Sequence, residues 1–211
     1  MTRYKYKERF PKLAGQFLVA LAALGGFSSA GALAQPDEWS CFVGANAGYA
    51  ALDDSFSTKE GEVALLFDPS DDGAAFGLGA GCSLTKRWFV SAEYQRTDAD
   101  EITLDNWLGS INYGWSVGAA GQFYLGAIAG WSILEWGKEP VDTLENDSES
   151  EQAAYGAQIG YTHQLSDAWR LNFRYMYLSL DHRTRLQPVS GTARYSHDSQ
   201  QGLTLGIDWQ F

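Results

Sequence analysis

Beyond Ala34 the sequence contains no apolar run approaching the roughly 18 residues of a membrane-crossing helix. Its mean hydropathy is slightly negative, −0.26, which a helical membrane protein would not show. Basic residues are scarce: 15 Lys and Arg stand against 26 Asp and Glu. That balance argues against nucleic acid as a partner, because phosphates recruit a basic surface. Only two cysteines are present, Cys41 and Cys82. Glu38-Trp39-Ser40 before Cys41 is not a lipobox, so a lipid-anchored N-terminus is not expected. The acidic stretches lack the spacing and the required glycine of an EF-hand, so no motif stands behind calcium binding. No cofactor motif is found.

The N-terminus reads as a targeting segment. Arg3, Lys5, Lys7, Arg9 and Lys12 form a basic start, and Leu13 to Phe27 is apolar and unbroken by charge. Ala32-Leu33-Ala34 then supplies the small residues a signal peptidase accepts. The alternative, a retained anchor, would need about 20 apolar residues, and this run is shorter. The expected division is therefore a signal peptide over 1–34 and one domain over 35–211. Cleavage would remove five basic residues and one acidic, leaving 10 against 25, a formal net charge of −15.

What the rest of the chain does have is aromatic residues, glycine and a period of two. Eight segments alternate apolar with small or polar residues. They run over Cys41 to Leu52, Ala75 to Leu84, Trp88 to Arg96, Leu104 to Val117, Phe123 to Leu134, Ala153 to Gln164, Trp169 to Leu178 and Gln201 to Phe211. Each has about the 9–12 residues with which a tilted strand crosses a bilayer. Thr85-Lys86-Arg87, Gly118 to Gln122 and Ser166-Asp167-Ala168 read as tight turns. Asp53 to Ala74, Thr97 to Thr103, Glu135 to Gln152 and Ser179 to Gln200 read as longer polar loops. Short turns at one rim and long loops at the other, with an even strand number, point to an all-β, eight-stranded antiparallel up-and-down transmembrane β-barrel. A soluble β-sandwich would not need aromatic residues at so many strand ends; Trp88, Phe123, Trp169, Trp209 and Phe211 suit a membrane interface.

The segment Phe123-Tyr124-Leu125-Gly126-Ala127-Ile128-Ala129-Gly130-Trp131 and the last apolar row ending in Phe211 resemble the small outer-membrane barrel superfamily. That superfamily takes in the OmpA transmembrane domain, OmpX and Ail, and the opacity-type surface proteins. The resemblance spans 35–211 and implies a Gram-negative outer-membrane location. It implies that Trp209 and Phe211 serve as the assembly signal read by the barrel-insertion machinery. No periplasmic domain is expected after Phe211. Outer-membrane lipids and lipopolysaccharide are the expected surroundings.

Parity singles out candidate site residues. Glu93, Arg170, Arg174 and Asp208 fall on inward positions, and an Arg facing lipid at mid-depth would cost about 2–4 kcal/mol. Their heights suggest Arg174 with Glu93 across the lumen and Arg170 with Asp208 along the wall, as a plug or as a gated ion path. Cys41 and Cys82 fall on outward positions near the same end of adjacent strands. The oxidising periplasm admits a disulfide between them, or they stand as two small hydrophobes.

The outer loops are acidic. Asp53, Asp54, Glu60, Glu62, Asp68, Asp71 and Asp72 occur in the first, and Glu135, Glu139, Asp142, Glu145, Asp147, Glu149 and Glu151 in the third. They are solvated faces or a weak site for divalent cations. The fourth holds His182, Arg183, Arg185, Arg194 and His197, whose arginines could contact lipid phosphates or the acidic loops. His197-Asp198-Ser199 has the His-x-Ser spacing of lipid A deacylases, but in a polar loop without the flanking strand. His163, also outward, is near a periplasmic turn. The function expected is non-enzymatic: a structural, adhesive or surface-interacting barrel acting through its loops. A narrow channel for ions or small solutes comes second, and a lipid A-modifying enzyme third.

Overall fold

The structure is a computed structural model. It describes residues 40–59, 72–99, 102–137, 149–186 and 192–211, with backbone alone at 54–59, 149, 184–186 and 192–195. The proposed leader, 1–34, lies outside the described residues. Eight strands follow one another: β1 (Cys41–Lys59), β2 (Asp72–Ser83), β3 (Trp88–Ala99), β4 (Ile102–Val117), β5 (Gly121–Trp136), β6 (Glu149–Gln164), β7 (Trp169–Leu186) and β8 (Thr192–Gln210). Each pairs antiparallel with its neighbours, and β1 pairs with β8 to close the barrel. The seam ends in a reciprocal bond pair: Cys41 N donates to Phe211 O, and Phe211 N to Cys41 O, both at 3.0 Å.

The three short turns have clear local causes. The Thr85 hydroxyl accepts from Arg87 N at 3.2 Å and Trp88 N at 3.0 Å, and the Ser166 hydroxyl accepts from Trp169 N at 3.2 Å. These side-chain bonds mimic a turn of backbone. The turn between β4 and β5 uses Gly118 at φ 69°, a left-handed conformation that a Cβ disfavours.

At the short turns the boundaries fall within two residues of the expected ones, but on the long-loop side every strand extends further than expected. β1 continues to Lys59, β5 to Trp136 and β7 to Leu186, while β6 starts at Glu149 and β8 at Thr192. The connections expected over Asp53 to Ala74, Thr97 to Thr103, Glu135 to Gln152 and Ser179 to Gln200 are therefore shorter, each giving up residues to the strands on either side. The reason is an inversion of polarity along the strands. Nearer the short turns, outward residues are apolar and exposed, including Leu78, Ile111, Leu125, Ile159 and Leu205. Two aromatic girdles bound this band. The lower runs from Trp88 and Tyr113 (5.1 Å between rings) through Trp115, Phe123 and Tyr161. The upper includes Tyr94 and Trp107 (4.8 Å), with Trp131, Tyr155 and Tyr177.

Above the upper girdle the outside turns polar and the inside mostly apolar, with Ser132, His182 and His197 among its buried residues. Asp105, Glu135, Asp181 and Arg183 face out. Leu52, Ile102, Leu104, Leu134, Trp136 and Leu180 turn inward and join Leu108, Ile128, Met176 and Leu178 in one buried cluster. A polar exterior with an apolar interior is the pattern of a barrel in water; an apolar exterior with a polar interior is that of a barrel in lipid. The strands thus cross the membrane and continue beyond it as a collar.

This inversion sets the expected response to substitution. Leu205→Arg, in the lipid-facing band, should lower the unfolding free energy by about 2–4 kcal/mol. Leu134→Asn, in the collar's core, should cost at least about 3 kcal/mol. Glu135→Gln on the adjacent outer face should stay within about 0.5 kcal/mol. Urea unfolding in lipid vesicles, followed by tryptophan fluorescence, measures all three.

Candidate functional site: the barrel lumen

Arg170 and Asp208 are direct register partners on β7 and β8. Arg170 Nε and Nη2 donate to Asp208 Oδ2 at 3.1 and 2.9 Å. Gly44 faces them from β1, and a Cβ there would collide with the Asp208 carboxylate. The same guanidinium lies 4.6 Å from the centre of the Phe42 ring, a cation–π contact. Phe42, Phe89 and Tyr124 stack edge to face behind it, at 6.4 and 5.4 Å between successive rings. Phe89, which interrupts the polar row of its strand in the sequence, is thereby part of an aromatic floor inside the lumen.

One level up, Arg174 reaches across the bore from β7 to Glu93 on β3. Its Nη2 donates to Glu93 Oε1 at 2.6 Å and its Nη1 to Oε2, a two-pronged pairing. Asn46 Nδ2 adds a third donor to Glu93 Oε1 at 3.1 Å. Both charged side chains are nine-tenths buried or more. On the far wall Gln158 Nε2 donates to Asn112 Oδ1 at 2.7 Å, Asn112 Nδ2 donates to Ser110 Oγ at 2.8 Å, and Ser91 joins Ser110 at 2.7 Å. A cavity of about 40 Å³ remains among these groups, lined by Asn46, Glu93, Arg170, Arg174 and Asp208.

The histidines of the expected fourth loop are in strands instead. His182 on β7 and His197 on β8 are register partners, and both are buried inside the collar. His182 Nε2 meets Ser132 Oγ at 3.0 Å and its Nδ1 meets Ser150 Oγ at 3.2 Å. The His197 ring lies 5.7 Å from Trp136. His182 is where the inward parity of β7 leads once the strand is carried past Leu178. His197 could not be found that way. A bulge leaves Asp198 without a register partner on either neighbouring strand, so Ser199 and Gln200 are both buried and the parity below them reverses. His197-Asp198-Ser199 is therefore a bulge in a wall and not a loop motif. His163 does lie next to the short-turn rim, bonded through Nδ1 to the Tyr161 hydroxyl at 3.0 Å.

Cys41 and Cys82 are register partners on β1 and β2 and form a disulfide, with Cα atoms 4.0 Å apart. Trp209 and Phe211 stack on the outside at 5.0 Å. Of the acidic residues assigned to the first and third loops, Asp53, Asp54, Asp72, Glu135, Glu149 and Glu151 stand in strands; Glu60, Glu62, Asp68, Asp71, Glu139, Asp142, Glu145 and Asp147 lie outside the described residues. Arg183 pairs with Asp181 at 2.7 Å, and Arg185 and Arg194 are register partners on β7 and β8.

Two measurements follow. Cys41→Ser with Cys82→Ser should leave the barrel able to fold while lowering its unfolding free energy by about 2–4 kcal/mol, read in urea. The second concerns pH. The two histidines stand above Tyr177, beyond the lipid-facing band, and burial pushes His182 down to about 4 and His197 to about 3. Both are neutral when folded, whereas the unfolded chain takes up protons near 6.5. Stability should hold above about pH 7.5 and fall as pH drops from 6.5 toward 4. Urea midpoints at pH 7.5 and 5 should differ less in a His182→Gln, His197→Gln variant.

The barrel fold is shared with related chains. Residues 19–211 match the family model described as the outer membrane protein beta-barrel domain. Neisserial surface protein A is similar in structure at 18% identity, with a TM-score of 0.55, covering 81% of this chain and 97% of its own. The outer membrane protein OprG of Pseudomonas aeruginosa is similar at 13% identity, with a TM-score of 0.56, covering 83% and 97%. No curated protein matches the sequence. The chain belongs to the outer membrane protein beta-barrel family and is a Gram-negative outer-membrane protein.

Proposed function

We propose that this barrel is a non-enzymatic surface protein, closed to solutes, that works through the segments joining its strands on the outside. The observation that supports this most is the filling of the bore: aromatic floor, crossing ion pair and apolar collar core follow one another along the axis. A bidentate pair that spans opposite walls leaves little room for a permeating ion. The role is structural, adhesive or envelope-interacting, and the name of the similar Neisserial surface protein fits it. The surroundings are outer-membrane lipid and lipopolysaccharide, with the barrel-insertion machinery engaging Trp209 and Phe211 during assembly. Divalent cations at the acidic outer residues belong to the same proposal. Among the described residues no three metal-ligating side chains cluster, so any such site would draw on the others.

The second reading, a narrow channel gated by Arg174 and Glu93, is favoured by one observation, the cavity beside that pair. Planar-bilayer recording separates the two. The refolded wild-type protein should show no conductance steps. Glu93→Gln should introduce steps and lower the unfolding free energy by about 3–5 kcal/mol, because it strands a buried guanidinium. Stable wild-type openings would overturn the closed-lumen reading. A variant unchanged in both stability and conductance would sink the plug and the gate together.

A further inference from the structure

The hydrogen-bond network of the lumen has a gap. Below it stand Arg174, Glu93 and Asn46, joined as described. Above it Asn106 Nδ2 donates to Gln200 Oε1 at 2.9 Å, and Gln200 Nε2 donates to Thr97 Oγ1 at 2.9 Å. Between the two chains stands Gln95, fully buried, and neither its Nε2 nor its Oε1 meets a partner among the described residues. Asn46 Oδ1, at the top of the lower chain, and Asn106 Oδ1, at the bottom of the upper one, are in the same condition. Buried polar atoms are rarely left unmatched in native proteins, and these four fall in one place.

Register explains the grouping. Asn46 pairs with Gly77, Gly77 with Gln95, and Gln95 with Asn106, so the residues form one row around the wall. Adjacent strands are about 4.8 Å apart, so Asn106 stands one strand spacing from Gln95 and Asn46 two, with only the side-chain-free Gly77 between. Gly77, without a side chain, lets the Asn46 amide and the Glu93 carboxylate lie over its backbone. A Cβ there would come within 2.8 Å of both Asn46 amide atoms and 2.7 Å of Glu93 Oε1.

We propose that this row is a site for buried water, which bridges the lower and upper chains. The chemistry selects the occupant. A cation would satisfy three carbonyl oxygens but would face the Gln95 N–H donor and, one level below, the Arg174 guanidinium. An anion would face the oxygens. Water both donates and accepts, and the row supplies the two to four polar partners a buried water takes. With water in place, hydrogen bonds run unbroken from Arg174 on β7 through Glu93, Asn46, Gln95 and Asn106 to Gln200 on β8 and Thr97 on β3, while the side lined by Leu134, Met176 and Leu178 stays dry.

Water-edited solid-state NMR on the wild-type protein in lipid bilayers, with labelled Gln and Asn side chains, tests this directly. Transfer from water to the Gln95 side-chain amide should build up about as fast as to the outward-facing Gln201, and several-fold faster than to Leu178. A build-up as slow as that of Leu178 overturns the proposal, and so does one that changes when sodium replaces a bulky organic cation. The near-isosteric Gln95→Leu supplies an independent sign. In a dry layer it removes unmatched atoms and raises the urea midpoint. In a hydrated layer it displaces a bridge, so the expected result is a lower midpoint, and an unchanged or higher one overturns the proposal.

Discussion

Closure of β1 on β8 is the constraint from which the rest follows. A bilayer core offers nothing to pair with an open strand edge, so the sheet must return on itself. The last bonds of that return join the first residue of β1 to the last residue of the chain. Once closed, the barrel allows each side chain only two directions. Which is cheaper for an apolar group depends on what lies outside at that height. Lipid lies outside between the girdles, and water lies outside above them. The inversion seen along β4 makes this concrete: Ile111 and Trp107 point outward, whereas Leu104 and Ile102 turn in and Asp105 turns out.

The narrow bore then decides what the polar band must contain. With eight strands the interior is only wide enough to be filled by side chains. Charges placed there cannot remain alone, because an uncompensated buried ion is far more costly than a paired one. Glu93 answers Arg174 and also accepts from Asn46, while Asp208 answers Arg170, whose guanidinium also lies over the Phe42 ring. Such pairs are poor evidence for net stability, since well-packed apolar residues could replace them at little loss. Their effect is to tie opposite walls together at a fixed height and to make the polar lumen specific.

Within the lipid-facing band, the sequence was readable residue by residue. The alternating rows show which way Glu93, Arg170, Arg174 and Asp208 point, and adjacent strands bring Cys41 beside Cys82. Beyond the girdles the same rule misleads, because the outward apolar row that marks a strand ends where lipid ends. Polar stretches such as Ser179 to Gln200 then look like loops although most of their residues continue β7 and β8. Carrying the parity of β7 onward would have found Leu180 and His182. His197 needed the bulge at Asp198, and nothing in the local pattern announces it. The unmatched atoms of Asn46, Gln95 and Asn106 depend on cross-strand register, which alternation alone leaves uncertain by a residue or two.

The collar also bears on the proposed surface role. β1 runs ten residues past Tyr49 to Lys59, and β7 runs nine past Tyr177 to Leu186. At about 3.3 Å per residue, each carries its end on the order of 30 Å along the strand beyond the upper aromatic ring. Such reach exceeds what closing a hairpin at the membrane surface would need. Up to the level of Trp136 and His182, the collar's packed core braces that extension from within. For the surface role proposed above, a polar-walled stem packed from within offers reach and a fixed orientation, which a transporting lumen has no use for.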